Sequence, residues 1–312
     1  MLKKFIKSKL PGVVLMYDVF KNFVYSKVSP DKYPDVLAKW YKHYTGEILN
    51  LKDPENYTQK IQWLKLYDST QIKADLSDKY KVREWVKEKI GEEYLVPLIS
   101  GGIKDASEID FEALPKKFVI KTNHGSGWNI IVNDKEKLNV KKTITTLNRW
   151  LKLNFAFKSG LESHYRLINP CIIIEEYMEN LDGELSDYKF LCFNGRPYYC
   201  WVDLGRYKDH RRNVYDMEWK LQDWQQHTYL NSESPVTKPK NFEKMVELAT
   251  VLCQGFSHVR VDFYNINGKI LFGEMTFTNG SGRELIHPSE MNVKLGKLID
   301  IDSIKRVMEQ KE

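Results

Sequence analysis

The stretch "RVDFYNINGKILFGEMTF", residues 260–277, has the composition of a strand pair but carries charges in its middle. Side chains of a strand alternate between the two faces of a sheet. Val261 and Phe263 therefore share one face, and Arg260 and Asp262 share the other. The sequence predicts a hairpin with an apolar face and a row of charges on the opposite face.

Between the two strands the sequence "NING" (265–268) signals a turn. For Glu274 to reach the face that carries Asp262, the hairpin loop must contain an odd number of residues. We expect a three-residue loop with a bulge at Gly268. The pairs that this loop sets are Asn265 with Lys269 and Arg260 with Glu274.

Two carboxylates and a guanidinium would then lie together on one face of a sheet. Hard cations such as Mg²⁺ select carboxylate oxygens, and Mg²⁺ is usually held by one or two of them together with substrate phosphates. The pair Asp262 and Glu274 therefore predicts a magnesium site that also holds a nucleotide.

The composition is that of a globular protein. The chain has 312 residues, of which 42% are hydrophobic and 29% charged, with a formal net charge of +6. This length can form one large or two smaller domains. The spread-out positive charge favours anionic ligands or an anionic membrane surface, and we expect no nucleic-acid partner.

The cysteines and the hydropathy pattern indicate the compartment. The cysteines lie in or beside apolar runs, without a CxxC pair or metal-ligand spacing, which predicts reduced core thiols. No run approaches the ~18 apolar residues that span a bilayer. We therefore expect a cytoplasmic protein. The four cysteines are Cys171, Cys192, Cys200 and Cys253.

Residues 1–28 have a basic start and an apolar centre, as a signal peptide would. Pro11 and Asp18 interrupt this pattern, and no small-residue cleavage site clearly follows. We interpret these residues as a basic amphipathic segment that docks within the fold. The alternative is a peripheral anchor at the inner face of a membrane.

Residues from about 15 to 95 read as helical, and strands dominate afterwards. In "SDKYKVREWVKEKIG" (77–91), Ser77 could cap a helix and Gly91 could end it. The strands "FVIKT" and "NIIVN" flank a glycine loop and predict a hairpin. The other predicted elements are helices at 57–69, 141–157 and about 242–253, a strand at 171–178 and a hairpin at 187–202.

The glycine loop is a candidate phosphate site. Lys121 ends the first strand of this hairpin, and Gly125, Ser126 and Gly127 can approach a phosphate closely because glycine lacks a side chain. A strand follows the loop, so this is neither a Walker A loop nor a dinucleotide fingerprint. A glycine turn without a ligand is the alternative.

Two further segments could hold a nucleoside. The strand "IIIEEYM" ends in Glu175, Tyr177 and Met178, and such an end can offer backbone groups and apolar surface to an adenine. In "DYKF", Asp187 could accept ribose hydroxyls and Lys189 could reach phosphates. Charges facing solvent are the alternative.

Taken in sequence order, these segments resemble the ATP-grasp superfamily, which includes D-alanine–D-alanine ligase and glutathione synthetase. "DKYKVREWV", "LPKKFVIKTNHGSG", "SDYKFLCFNGRP" and "RVDFY" with "GEMTF" are more closely similar to its TupA-like branch, found in polysaccharide and capsule gene clusters. The resemblance spans about residues 59–301. It implies an α+β ATP-grasp fold, with a helical region 1–75, a first ATP-grasp part 76–180 and a C-terminal part 181–312.

The resemblance also implies roles for the candidate residues. ATP would lie between two subdomains, with Mg²⁺ on its phosphates and the glycine loop closed over them. Phosphates would contact Lys79, Lys121 and Lys189; adenine would contact Glu175, Tyr177 and Met178; ribose would contact Asp187; the metal would contact Asp262, Glu274 and Thr276; Arg260, Lys121 and Arg283 would act in catalysis.

Three features depart from the superfamily pattern. Thr276 replaces an asparagine that binds the second metal, and Asn279 could assist it. Asn279 itself stands where this branch has a proline. Residues 1 to about 75 read as helices where the superfamily has an open α/β domain, so the substrate pocket cannot be copied from better-known ligases.

Basic residues near the predicted catalytic strands indicate the substrate. Arginine pairs with carboxylate or phosphate in bidentate fashion, which favours an anionic sugar such as a uronate, or a lipid-linked or nucleotide-linked sugar. A solvated loop is the alternative. These residues are Arg206, His210, Arg211, Arg212 and Arg283.

The resemblance implies an ADP-forming ligase. The γ-phosphoryl group would pass to a substrate carboxylate, and an amine or amino acid would attack the acyl phosphate. We expect the carboxylate to belong to a cell-surface polysaccharide or its precursor. The alternatives are a sugar kinase, a glycosyltransferase acting on a nucleotide sugar, and a scaffold with a decayed site.

Overall fold

The computed structural model describes residues 11–158, 160–179, 187–204, 211–227, 229–232 and 236–309. Within these ranges the protein combines helices with antiparallel sheets. The helices are α1 (Pro11–Ser26), α2 (Tyr33–Thr45), α3 (Tyr57–Tyr67), α4 (Gln71–Ser77), α5 (Val82–Lys89), α6 (Val140–Leu151), α7 (Phe242–Leu252), α8 (Ser289–Lys297) and α9 (Asp302–Glu309). The strands are β1 (Leu98–Ile103), β2 (Phe118–Thr122), β3 (Asn129–Val132), β4 (Ile172–Glu176), β5 (Asp187–Phe193), β6 (Arg196–Leu204), β7 (Arg211–Asp216), β8 (Gln225–Gln226), β9 (His258–Ile266), β10 (Lys269–Thr276) and β11 (Ile286–His287).

The helix predicted over residues 77–91 forms, but its start differs from the prediction. Ser77 is the last residue of α4 and does not cap α5. The next residue, Asp78, holds the turn that precedes α5: its Oδ1 accepts hydrogen bonds from the backbone N–H groups of Tyr80 and Lys81, at 2.8 and 3.2 Å. A carboxylate accepts such bonds better than a hydroxyl, because its charge interacts with the free N–H groups.

The first sheet has the strand order β1-β4-β2-β3. Strands β2 and β3 form the predicted hairpin, with Lys121 paired to Asn129 beside the glycine loop. Helix α6 covers this sheet and buries Leu147 against Phe118 and Ile120. The helix ends at Leu151, so the end of the predicted helix 141–157 is replaced by a separate short helical turn.

The second sheet has the order β10-β9-β5-β6-β7 and is covered on both faces. On one face, Phe190 and Val261 pack with Phe242 of α7. On the other face, α3 and α8 bury Leu191 and Trp201. That second face is apolar at one end only, because Lys189, Asp262 and their partners occupy its other end.

The loop of the β9–β10 hairpin is shorter than predicted. Lys269 pairs with Ile266, so the turn consists of Asn267 and Gly268, with φ of +52° and +87°. Two successive positive φ values match the twist of the flanking strands in a two-residue turn. The predicted three-residue loop, the pairing of Asn265 with Lys269 and the pairing of Arg260 with Glu274 are wrong.

The change of face is made at a bulge in β10 instead. The register shifts between Phe272 and Glu274, after which Glu274 lies opposite Asp262. Gly273 occupies the bulge, and a Cβ atom there would lie 3.1 Å from the Asp262 carbonyl oxygen. The missing side chain lets the two backbones approach, and the extra residue moves Glu274 to the charged face.

Helix α1 docks on the protein with one face, as predicted for the N-terminal segment. Asn22 donates to the carbonyl of Asn154 at 2.5 Å, and the ring of Tyr25 meets that of Trp40 at 4.6 Å. The described helices include none long and apolar enough to cross a bilayer.

Candidate active site

The charged end of the second sheet centres on Lys189, whose residue is 3% exposed. Its Nζ is ion-paired with Asp187, lies 3.1 Å from Asp262 Oδ2 and lies 3.7 Å from Asp203 Oδ2. A buried ammonium is stabilised only when carboxylates replace its water. We call this group the charged cluster. It consists of Lys189, Asp187, Asp203, Asp262, Arg260 and Glu274.

Arg260 joins the two carboxylates of the β9–β10 hairpin. Its Nε and Nη2 donate to the two oxygens of Asp262, each at 2.7 Å, and Nη2 also donates to Glu274 Oε1 at 2.8 Å. Burial alone would raise the pKa of Glu274, but the ammonium of Lys79 and the guanidinium of Arg260 hold that pKa at about 2. Glu274 is therefore ionised at neutral pH.

This hairpin fits a divalent cation that arrives with a nucleotide. A cationic guanidinium already lies between two carboxylates, and the Thr276 hydroxyl donates to Glu274 Oε1 at 3.2 Å. Among the described residues, no three His, Cys, Asp or Glu side chains form a ready-made metal site. Mg²⁺ is usually held by one or two carboxylates together with substrate phosphates, and the donor atoms of Asp262 and Glu274 fit that pattern.

A buried network of hydrogen bonds orients the guanidinium of Arg260. Its Nη1 donates to Asn279 Oδ1 at 2.7 Å, and Asn279 Nδ2 donates to the Tyr57 hydroxyl at 3.1 Å and to Gln226 Oε1 at 3.0 Å. His258 Nδ1 donates to a backbone carbonyl, so its Nε2 accepts from Tyr57 at 3.0 Å. Asn279 is thus engaged with Arg260, and its assistance to the metal stays a prediction.

The glycine loop meets the charged cluster through Lys79. Lys79 Nζ donates to the Gly125 carbonyl at 2.6 Å and lies 4.0 Å from Glu274 Oε2. The base of the loop is held by Asn123, whose side chain donates to Asp78 at 2.7 Å, and by the buried His124. Beyond Gly125, the residues Ser126 and Gly127 are exposed at the tip of the loop.

Gly125→Ala is expected to lower the free energy of unfolding by about 1–3 kcal/mol, because the new Cβ would lie 2.7 Å from Trp128 and 2.9 Å from Phe155. Gly127→Ala is the matched control, since its φ is +72° but no atom lies within 4 Å of the added Cβ. Urea unfolding measures both variants. Unchanged stability of Gly125→Ala would contradict the overpacking.

Strand β4 brings Glu175 beside Lys121 of β2. Glu175 is ion-paired with Lys121, and its other oxygen lies 3.6 Å from Arg83 Nη1. Beyond the strand, Met178 packs beside Val96. Lys121 and Glu175 therefore share one ion pair, a link that the sequence alone did not predict.

The basic residues predicted to bind substrate do not all gather at the cluster. The guanidinium of Arg283 stacks on the Tyr44 ring at 4.6 Å, and Arg211 Nη1 donates to the Asn231 carbonyl at 3.4 Å. Arg206 and His210 lie outside the described residues.

Sequence reasoning missed several residues that contact the cluster. Asp203 is a partner of Lys189 and accepts a bidentate pair from Arg212 at 2.6 and 3.1 Å. A lone Asp at the end of the apolar run "YYCWV" was the available signal. Tyr57 and Gln226 carried no signal, because their contacts exist only in the folded chain. The other missed residues are Arg83, Asn123 and His124.

A glycine loop on one sheet faces a guanidinium between two carboxylates on another, and a lysine bridges them. These features are those of the ATP-grasp class. The model of one family, described as TupA-like ATP-grasp, matches residues 59–300. The chain belongs to this TupA-like ATP-grasp family.

Comparison with solved structures finds ATP-grasp enzymes. D-alanine–D-alanine ligase from Bacillus anthracis is 18% identical with a TM-score of 0.45, over 76% of this chain and 70% of that one. The same enzyme from Helicobacter pylori is 16% identical with a TM-score of 0.40, over 79% and 69%. N5-carboxyaminoimidazole synthase from Aspergillus clavatus, in complex with ADP and 5-aminoimidazole ribonucleotide, is 10% identical with a TM-score of 0.39, over 66% of this chain and 45% of that one. No curated protein matches the chain significantly.

Proposed function

We propose that this protein joins a carboxylate to an amine with ATP, and that the carboxylate belongs to a sugar of a cell-surface polysaccharide or its precursor. The observation that carries the proposal is Arg260, clamped between Asp262 and Glu274 and faced by Lys79. Such a set provides the charge neutralisation that phosphoryl transfer requires.

In the proposed reaction, Lys79, Lys121, Lys189 and the glycine loop hold the phosphates of ATP. Asp262 and Glu274, with Thr276 beside them, would hold Mg²⁺, which neutralises phosphate charge. Because Asp262 is now neutralised by Arg260 and Lys189, nucleotide binding would draw these cations onto the phosphates.

Arg260 then stabilises the transferring phosphoryl group as a substrate carboxylate attacks the γ-phosphorus. The bond between the γ-phosphorus and its bridging oxygen breaks, and ADP leaves. An amine next attacks the acyl phosphate and releases inorganic phosphate. Asn279 and Tyr57 keep the guanidinium aimed during both steps. Glu175, Tyr177, Met178 and Asp187 would hold the nucleoside.

The acceptor is proposed from charge and from the family's occurrence in polysaccharide gene clusters. Arg206, His210, Arg211 and Arg283 would recognise the anionic sugar, since arginine forms paired hydrogen bonds with carboxylates and phosphates. The amine is an amino acid or another small amine. We place the reaction in the cytoplasm, where ATP is available.

Thermal unfolding with ATP and Mg²⁺ tests the nucleotide site first. A ligand at a hundredfold over its dissociation constant adds about 2.7 kcal/mol to the stability of the wild type. Lys121→Ala is expected to lose this gain. Lys116→Ala, an exposed lysine next to the same strand, is expected to keep it.

Product analysis then separates the chemistries. The ligase releases ADP and inorganic phosphate together, and only when carboxylate and amine are both present. A sugar kinase would leave a stable phosphorylated sugar, and a glycosyltransferase would be stabilised by nucleotide sugars and not by ATP. Either result would overturn the proposal.

A further inference from the structure

Two polar atoms that the proposed phosphoryl transfer does not use meet over Gly280. A Cβ atom at Gly280 would lie 2.7 Å from Glu284 Oε2 and 3.1 Å from Gln226 Nε2. The β8–β11 pair brings these side chains together, because Gln226 lies opposite Ile286 in that pair. An amide donor and a carboxylate therefore flank one glycine of the turn Asn279–Gly282 that follows β10.

The hydrogen bonds around Asn279 fix the orientation of the Gln226 amide. Arg260 Nη1 can only donate, so Asn279 Oδ1 accepts from it, and Asn279 Nδ2 donates to Gln226 Oε1 at 3.0 Å. The other end of the amide is therefore the donor Nε2. Gln226 is 0% exposed, and its Nε2 has no hydrogen-bond partner among the described residues. A buried donor without an acceptor is costly and uncommon in folded proteins, so it indicates a ligand oxygen.

Glu284 supplies negative charge at the same place. Its side chain is partly exposed, and within the described ranges no residue is ion-paired with it. Burial raises the pKa of the Tyr57 hydroxyl, while Asn279 and Arg260 lower it. The charge of Glu284 raises that pKa further. The carboxylate of Glu284 therefore lies close to the network that orients the guanidinium of Arg260.

We propose that Glu284 and Gln226 bind the amine substrate, and that this amine is an amino acid. A carboxylate attracts an ammonium, whereas it repels the phosphates of ATP and an anionic sugar. The carboxylate of the same amino acid provides the oxygen that Gln226 Nε2 lacks. This inference rests on the ligase function proposed above, in which an amine attacks the acyl phosphate beside Arg260.

Entry of the amino acid requires a movement of Glu284. Its carboxylate and Gln226 Nε2 now lie together over Gly280, so the ligand enters when the Glu284 side chain turns toward the ammonium. For a partly exposed glutamate this is only a change of rotamer. Gly280 leaves the space for the movement, because a larger residue would contact both side chains.

Thermal unfolding of the full chain with saturating ATP and Mg²⁺ tests this inference. The common amino acids and ethylamine are added in turn. We expect at least one amino acid to raise the unfolding midpoint further. Ethylamine should have little effect, because it has no oxygen for Gln226. Glu284→Gln is expected to weaken binding of that amino acid about tenfold or more, since the ammonium loses its charged acceptor. Glu290→Gln, at an exposed position of α8, is the control.

Stabilisation of Glu284→Gln by ATP and Mg²⁺ alone shows that the variant is folded and that its nucleotide site is intact. Three results would overturn the inference and leave the ligase proposal standing: ATP stabilises the protein but no amino acid does, ethylamine binds equally well, or Glu284→Gln keeps the affinity of the wild type. Binding of glucuronate that Glu284→Gln abolishes would assign the site to the sugar and overturn the inference as well. A wild type that ATP does not stabilise would overturn the proposed function, and the inference with it.

Discussion

Lys189→Met is expected to lower the free energy of unfolding by about 3–5 kcal/mol, the loss seen when one partner of a buried ion pair is removed. Lys189 is 3% exposed, and its ammonium faces Asp187, Asp203 and Asp262. Methionine keeps the length of the side chain but leaves three carboxylates close together. Urea unfolding at neutral pH measures the loss.

The loss of unfolding free energy in Lys189→Met should be smaller at acidic pH. Burial raises the pKa of Asp262, while Arg260 and Lys189 lower it, so removal of Lys189 raises the folded-state pKa further. A carboxyl whose folded pKa lies above its unfolded value is stabilised when pH falls through the folded pKa. Lys269→Met, an exposed lysine of β10, is expected to change little at any pH. A loss independent of pH would contradict the electrostatic cause.

Glu274→Gln is expected to reduce ATP turnover at least a hundredfold, the order of magnitude lost with one electrostatic group of an active site. Glutamine can still accept the bond from Arg260, but it provides no charge for a metal. Stability without nucleotide should also fall, because the lowered pKa of Glu274 means that Lys79 and Arg260 stabilise its ionised form in the folded protein. Steady-state ADP release measures the first effect and urea unfolding the second.

The pKa of Glu274 decides how this result depends on pH. That pKa is held at about 2, so the carboxylate is ionised throughout the range from weakly acidic to weakly basic solution. The ratio of wild-type to variant turnover should therefore stay constant across that range. Glu290→Gln, in the exposed first turn of α8, serves as the control. Full activity of Glu274→Gln would favour a scaffold with a decayed site.

The strands of the candidate site could be predicted because alternation and turn signals are local. The β2–β3, β5–β6 and β9–β10 hairpins follow from sequence, and so does the shared face of Asp262 and Glu274. The bulge in β10 that brings Glu274 to this face was not predicted. Its only sign in the sequence is Gly273, and a glycine within a strand is compatible with several structures.

Contacts distant in sequence could not be predicted. Tyr57 and Asn279 are 222 residues apart, yet they share one hydrogen bond behind Arg260. Lys189 was expected to reach phosphates, and a single strand sequence did not reveal the carboxylates of β6 and β9 beside it. Whether the boundaries at 75 and 180 separate folding units stays a prediction.

The hydrogen bond from Asn279 to Tyr57 bears on how such enzymes can be recombined. Tyr57 begins α3 and is buried beside the second sheet. The helical region therefore contributes a hydroxyl that, through Asn279, helps to orient Arg260 of the hairpin. A chimera spliced after α3 would inherit a foreign support for Arg260. Splicing before Asn56, which caps α3, keeps the native support, so the helices before it can be exchanged without replacing the residue that helps to orient Arg260.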